Sequence, residues 1–380
     1  MGDIDMNRRK IALLTWLGSG NFGTSLQSFA LHKKLQDLGY SVTFLKGCPE
    51  KFTIKNTIKY IFGAIGIDFD GIKKILNRDS QNVKQIKLKN FIKDNYNLFP
   101  SINSKRQLSK LVASTDVFVT GSDQIWNTVF KFNPTFFLDF AKDKKRIAYA
   151  SSMGISDFPI DHKPEVRRML SKFQHIGVRE KTAVKSISTL LDRDDVQQVL
   201  DPTFLLDKND WFTMSDSAEI EIQLPQKYIF CYLIGNNPWY KDQIKDVLLT
   251  SGINKIIIVP AVENLDFYID GAIIYDAAGP LEFVKLIKES SLVCTDSFHA
   301  TALSLNMEKP FVEFIRFSDD SRSSQNSRIY DLLERYNLSH HIYSKANKRW
   351  IENIDYSYVS QLINDDRKSS LDFLVNSIER

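Results

Sequence analysis

The chain has 380 residues, 43% hydrophobic and 25% charged, which suits a soluble protein of two ordinary domains; no apolar run nears the roughly 18 residues of a membrane span. Its three cysteines, Cys48, Cys231 and Cys294, lack CxxC spacing, which argues against a disulfide framework or a zinc site and favours a reducing compartment. The net charge of +4 is unevenly spread, with twelve Lys or Arg against four acids between Lys51 and Arg106, so the remainder is acidic and no global nucleic-acid surface is expected.

In chain order, the opening MGDIDMNRRKIALLTWLGSG reads as a first strand (11–17) rather than a signal peptide, and the expected location is the cytoplasm. A glycine-rich turn, an amphipathic helix over 24–39 and the strand SVTFLK complete a βαβ opening. A basic, helix-prone insertion over about 50–108 interrupts it. Strand signals return at VFVTG (117–121), RIAYASS (146–152) and HIGVRE (175–180), and 194–207 reads as a last strand and a link. A second strand-helix series runs from KYIFCYLIG (227–235) through SLVCT and FVEFI to the helix SRIYDLLERY (327–336). The expected fold is therefore α/β and GT-B-like: two Rossmann-like domains, 1–207 and 208–380, facing across a cleft, with the last helix a candidate to return to the first domain.

Gly18-Ser19-Gly20-Asn21-Phe22-Gly23 fits G-x-G-x-x-G between a strand and a helix. A dinucleotide site would also need an acid at the end of the second strand, and Leu45-Lys46-Gly47-Cys48 has none. The turn is better read as a close approach of backbone to another ligand, or as a tight turn needing positive φ.

Three strand-end turns carry chemistry: Asp123 and Gln124 in VTGSDQIWN, Arg179 and Glu180 in HIGVREKTA, and TDSFHATALSLNMEKPF with Asp296, Ser297 and His299. Singly, each has a plain explanation: a helix cap for Asp123, Asp296 or Ser297, a surface ion pair for Arg179, a half-buried first-turn residue for His299. Together they place an acid, an arginine and a histidine at strand ends of both domains. Arg matches carboxylate or phosphate, helix amides bind anions, and His and Asp move protons. That inventory suits an anionic donor and a hydroxyl-bearing acceptor, with metal-free chemistry the simpler expectation.

GSGNFGTSLQSFAL, GSDQIWN, IGVREKTA, VLDPTFLL, TDSFHATALSLNMEKPF and NSRIYDLLERY together resemble the polysaccharide pyruvyl transferase family along most of the chain. The resemblance implies a GT-B enzyme without a cofactor that moves the pyruvyl group of phosphoenolpyruvate onto two sugar hydroxyls as a cyclic ketal. It implies catalytic roles for His299 and Asp123, and donor contacts from Arg179, Ser297, Phe298 (through its backbone amide) and His299. Gly20, Asn21, Phe22, Gln124 and Trp126 fall on the acceptor side. Some members carry Arg where this chain has Ser297; Lys309, Arg316 and Arg328 are the candidate replacements, with Lys309 and Arg328 favoured. The acceptor expected is a saccharide on an undecaprenyl carrier, in capsular or exopolysaccharide synthesis.

The segment 52–76 mixes Lys with an apolar run, and reads either as a peripheral contact with anionic lipid or as an ordinary surface helix. Two other functions fit the same architecture: a nucleotide-sugar glycosyltransferase, with Glu282 or Glu313 on the ribose, and a non-catalytic saccharide-binding relative.

Overall fold

The computed structural model describes residues 8–18, 21–46, 79–100, 102–129, 132–261, 265–318 and 324–380. Gly20 and the segment 52–76 lie outside these residues.

Buried apolar strands alternate with helices, the pattern of parallel sheets covered on both faces. The first sheet is built from β1 (Lys10–Leu14), β2 (Ser41–Phe44), β3 (Val117–Thr120), β4 (Lys145–Ser151), β5 (His175–Val178) and β6 (Gln197–Gln198), all parallel, in the order β2-β1-β3-β4-β5-β6. The second comprises β7 (Ile229–Tyr232), β8 (Ile256–Ile258), β9 (Ile273–Ile274), β10 (Leu292–Thr295) and β11 (Phe311–Glu313), parallel in the order β11-β10-β7-β8-β9.

The helices are α1 (Phe22–Asp37), α2 (Asp79–Asn95), α3 (Lys105–Ser114), α4 (Lys163–Leu170), α5 (Lys181–Leu191), α6 (Lys208–Asp216), α7 (Tyr240–Ser251), α8 (Pro280–Glu289), α9 (Phe298–Asn306), α10 (Ser327–Arg335) and α11 (Tyr356–Glu379). The long α11 lies on the first sheet: Lys145 Nζ donates to the carbonyls of Ser377 (3.1 Å) and Ile378 (3.2 Å), and the amide of Leu200 donates to Ser370 Oγ at 3.0 Å. In the described part of the basic stretch, α2 docks on the second domain. Lys87 pairs with Glu221 and Glu282, each at 2.9 Å, and Lys84 donates to the Pro260 carbonyl at 3.1 Å.

Strand order reverses between β1 and β3 in the first sheet and between β7 and β10 in the second. Open parallel sheets part their loops at such points and bind ligands there, beyond the strands' carboxyl ends. The switch point of the first sheet carries the start of α1 and Asp123; that of the second carries the start of α9. The two helix starts meet. A Cβ on Gly23 would lie 2.5 Å from His299 Nδ1 and 2.6 Å from its Cγ, so only glycine lets α1 and the imidazole pack together. The two sheets thus face each other across a cleft, a GT-B-like architecture.

Candidate active site

Helix α9 is enclosed on all sides, and its small residues Ala300, Thr301, Ala302 and Ser304 permit that. Ser297 is its N-cap, with the side chain accepting from the Ala300 amide (3.5 Å), so this hydroxyl is turned to the helix as its plain explanation required. The amides of Phe298 and His299 precede the first intrahelical bond, from Thr301 N to the Ser297 carbonyl at 3.0 Å, and belong to the group that favours anions. Asp296 is occupied: it accepts from the amides of Ile234 (2.6 Å) and Gly235 (2.7 Å), from Tyr240 Oη (2.7 Å) and from Arg316 Nε (3.1 Å). That bracket ties β10 to the loop after β7 and commits the Arg316 charge, so Arg316 does not replace the family arginine.

Arg179, at the end of β5, is buried. Its Nη1 donates to Asp201 Oδ2 at 2.9 Å and lies 3.5 Å from His299 Nε2, while Nε faces Glu180 Oε1 at 3.5 Å. Asp201 gathers this corner: it also accepts from Ser122 Oγ (3.1 Å) and from Thr203 N (3.0 Å) and Oγ1 (2.8 Å), and His299 Nε2 stands 3.6 Å from it. Burial would raise the Asp201 carboxyl, but the charges of His299 and Arg179 outweigh it and hold the group well below the usual carboxylate range. Asp201 was missed as a site residue; VLDPTFLL reads as a link, and nothing local shows that its acid turns back under Arg179.

Asp123 sits at φ +70° just after β3, a left-handed conformation that Asp tolerates better than most residues. Gly121, at φ +116°, precedes it and lies against the Tyr149 carbonyl and Ser151 hydroxyl too closely for any side chain. The loop is pinned by Ser152 N donating to the Asp123 carbonyl at 2.9 Å. The carboxylate accepts from Thr24 Oγ1 (2.8 Å) and the Gln124 amide (2.9 Å). Burial opposes its charge, yet His299, Arg179 and these donors together keep its affinity for protons below the ordinary value.

Arg328, from α10, completes the corner. The Phe298 ring has two guanidinium groups near it, with Arg179 Cζ 4.2 Å and Arg328 Cζ 5.8 Å from its centroid. Arg328 donates to the carbonyl (3.3 Å) and side-chain oxygen (3.1 Å) of Gln325, and with the Gln124 amide oxygen turned toward it the contacts are 2.8 and 2.9 Å. No carboxylate among the described residues lies within 4 Å of it. Burial, then repulsion from Arg179, pushes its guanidinium down to about 9.

The structure therefore brings together His299, Asp123, Arg179, Phe298, Arg328 and Gln124, with Ser297 as a cap. Other expected residues go elsewhere. Lys309 follows α9 at its far end, about 14 Å of helix rise from Phe298, and donates to the Lys288 carbonyl at 2.8 Å, so it cannot share a ligand with His299. Phe22 packs on Phe283 and Tyr232 (centroids 5.2 and 5.9 Å), and Asn21 caps α1, accepting from Gly23 N at 2.9 Å. Trp126 is fully buried, stacked on Phe137 at 5.6 Å, with Nε1 donating to the Phe136 carbonyl. Trp16, just beyond β1, is by contrast 42% exposed and rests on Phe136 at 4.7 Å. Nor does either proposed ribose acid stand open. Glu282 pairs with Lys87 at 2.9 Å, and Glu313 is buried against Thr301, its carboxyl pushed well above the usual range by burial. Among the described residues no cluster of His, Cys, Asp and Glu could hold a metal ion, and no helix is long and apolar enough to cross a membrane.

A family model described as polysaccharide pyruvyl transferase matches residues 21–319. No curated protein sequence matches the chain significantly. Among solved structures, UDP-GlcNAc 2-epimerase from Neisseria meningitidis aligns at TM-score 0.48 and 10% identity over 97% of this chain and 100% of its own. UDP-GlcNAc 2-epimerase from Methanocaldococcus jannaschii gives 0.47 and 12% over 90% and 98%, and the wall teichoic acid polymerase TagF 0.44 and 11% over 95% and 89%. These likenesses are too distant to carry an argument; the architecture rests on the two sheets themselves.

Proposed function

The chain belongs to the polysaccharide pyruvyl transferase family, and on that premise we propose that it moves the pyruvyl group of phosphoenolpyruvate onto two hydroxyls of one sugar, forming a cyclic ketal and releasing phosphate. The observation that carries this reading is Arg328: a buried guanidinium beside a second one, with no carboxylate among the described residues within 4 Å. Such a charge is costly to bury alone and is relieved by an anion. Phosphoenolpyruvate offers two anionic groups, a phosphate and a carboxylate, to two guanidinium forks and to the amides at the start of α9.

In the reaction, the methylene carbon gains a proton while the first hydroxyl adds to the adjacent carbon. The C–O bond to phosphate then breaks and the second hydroxyl closes the ring. Two hydroxyl protons leave the sugar; one ends on the new methyl group and one on phosphate. His299, held between Arg179 and Asp201, delivers the proton to carbon. Asp123, kept ionised by the same cations, takes the proton of the first hydroxyl. Trp16 offers its ring as a platform for the acceptor, replacing Trp126 in that role.

The acceptor belongs to bacterial capsular or exopolysaccharide synthesis and is proposed to be an undecaprenyl-linked saccharide met at the inner membrane face. Support for the membrane contact is the lysine-flanked apolar sequence of 52–76. Phosphate release from phosphoenolpyruvate, measured against free and lipid-linked galactosides, glucosides and mannosides, tests the reading. Release is expected only with an acceptor carrying a suitably placed diol. No release with any acceptor, together with stabilisation by UDP-sugars alone, would favour a glycosyltransferase instead.

A further inference from the structure

We propose that Glu180 is a second base of the transfer, taking the proton of the hydroxyl that closes the ketal; this rests on the phosphoenolpyruvate reading above.

Glu180 occupies the N-cap position of α5, where a carboxylate ordinarily accepts from its own helix amides, but it makes no such bond. It turns inward and is only 3% exposed. Oε1 accepts from Ser152 Oγ and faces Arg179 Nε at 3.5 Å, while Oε2 is buried with no hydrogen-bond partner among the described residues. Arg179 Nη2, on the neighbouring residue, is in the same condition. Two buried polar atoms of opposite character, on adjacent residues and both left unsatisfied, are costly unless a ligand supplies both an anion and a donor. The donor substrate supplies the anion for Nη2. What Oε2 lacks is an O–H group, and the only O–H groups in the reaction are those of the acceptor.

The position agrees with the chemistry. Ser152 ties the two residues into one loop: its amide donates to the main-chain carbonyl of Asp123 at 2.9 Å and its hydroxyl to the Glu180 carboxylate. Both acids bear on Arg179 and Arg328. Ketal formation removes protons from two hydroxyls that approach one carbon in successive steps. Asp123 takes the first, and that proton replaces over the cycle the one His299 gives to carbon. As phosphate departs with the electrons of its C–O bond, the second oxygen bonds to carbon and its proton passes to Glu180 Oε2. From there it moves to the released phosphate, which restores the carboxylate. A role limited to orienting Arg179 is the competing account, but Asp201 at 2.9 Å already does that.

The test is Glu180→Gln, with three readouts: phosphoenolpyruvate affinity, deuterium entry from D2O into its methylene group in the presence of a diol acceptor, and phosphate release. Deuterium entry reports the reversible first addition; release reports completion. The expected result is affinity within about threefold of wild type, deuterium entry retained, and release lowered on the order of 10²-fold or more. Release at the wild-type rate overturns the proposal, as does a loss of affinity that accounts for the whole defect, which would mark Glu180 as a positioning residue for Arg179. Should the Gln variant fail to fold, Glu180→Asp takes its place: retained deuterium entry with release lowered about tenfold supports the base, and unchanged release removes it. Wild-type protein that shows neither deuterium entry nor release with any diol contradicts the pyruvyl transfer reading itself, a result distinct from failure at Glu180 alone.

Discussion

The two ends of α9 are both buried and both polar, yet they differ in one respect. At the far end everything is matched: Asn306 Nδ2 donates to the carbonyls of Thr203 and Leu206, both at 2.8 Å, its Oδ1 accepts from Arg367 at 2.8 Å, and Lys309 donates to Lys288 O. At the near end the accounting stays open. Among the described residues, Arg179 Nη2 and Glu180 Oε2 find no partner and Arg328 has no carboxylate within 4 Å. The first kind of polar burial locks a helix in place; the second holds charge ready for something that arrives. Polarity alone does not distinguish them, but the completeness of pairing does.

Substitutions at the two ends sharpen the contrast. His299→Ala at the near end should lower phosphate release on the order of 10²- to 10⁴-fold with little change in melting temperature. A variant that melts many degrees lower and keeps its rate would make the near end structural as well. A second buried histidine offers a comparison: His32, packed against Phe44 and Tyr96 with no partner for either ring nitrogen among the described residues, has its affinity for protons lowered by burial to about 4. The unfolded chain therefore protonates first, so this contribution to stability is complete above pH 6.5 and is lost as pH falls toward 4, about 3 kcal/mol in all. Denaturant titrations between pH 7 and 4.5 should show that slope, and His32→Phe should flatten it; equal slopes in both proteins would refute it.

Asn306→Ala comes next. It strands two buried carbonyls and part of Arg367, and should cost about 2 kcal/mol of stability while leaving the KM for phosphoenolpyruvate unchanged. A raised KM at normal stability would erase the distinction between the ends. The smallest effect is expected for Lys309→Ala, under about twofold in KM, because its ammonium group serves a carbonyl at the other end of the helix.

Much of this was legible in the sequence, for identifiable reasons. Strand-then-helix periodicity locates both sheets, and the placement of polar residues immediately after apolar strands singles out Asp123, Arg179 and His299, which the fold brings to one corner. Motif adjacency fails where direction matters. Phe22 and Trp126 sit one or two residues from polar residues, but Phe22 opens helix α1 and Trp126 lies in the turn after β3, and in both places the ring is directed into the core while its polar neighbours are not. Lys309 follows the TDSFHA motif closely in sequence, but a helix of nine residues intervenes and carries it to the other end. Asp201 and Glu180 required the tertiary fold, because their significance lies in what they face rather than in what flanks them. Arg328 was visible as a candidate; its missing carboxylate partner was not.

The central claim is that Arg328 is a cation held for the donor's anion. Calorimetric titration of phosphoenolpyruvate into wild type and Arg328→Gln tests it most directly. The account predicts one site in the wild type, at least tenfold weaker binding in the variant, and a free variant that melts higher because a buried, poorly matched charge is gone. Equal affinity in the two proteins, with the variant melting lower, would contradict it.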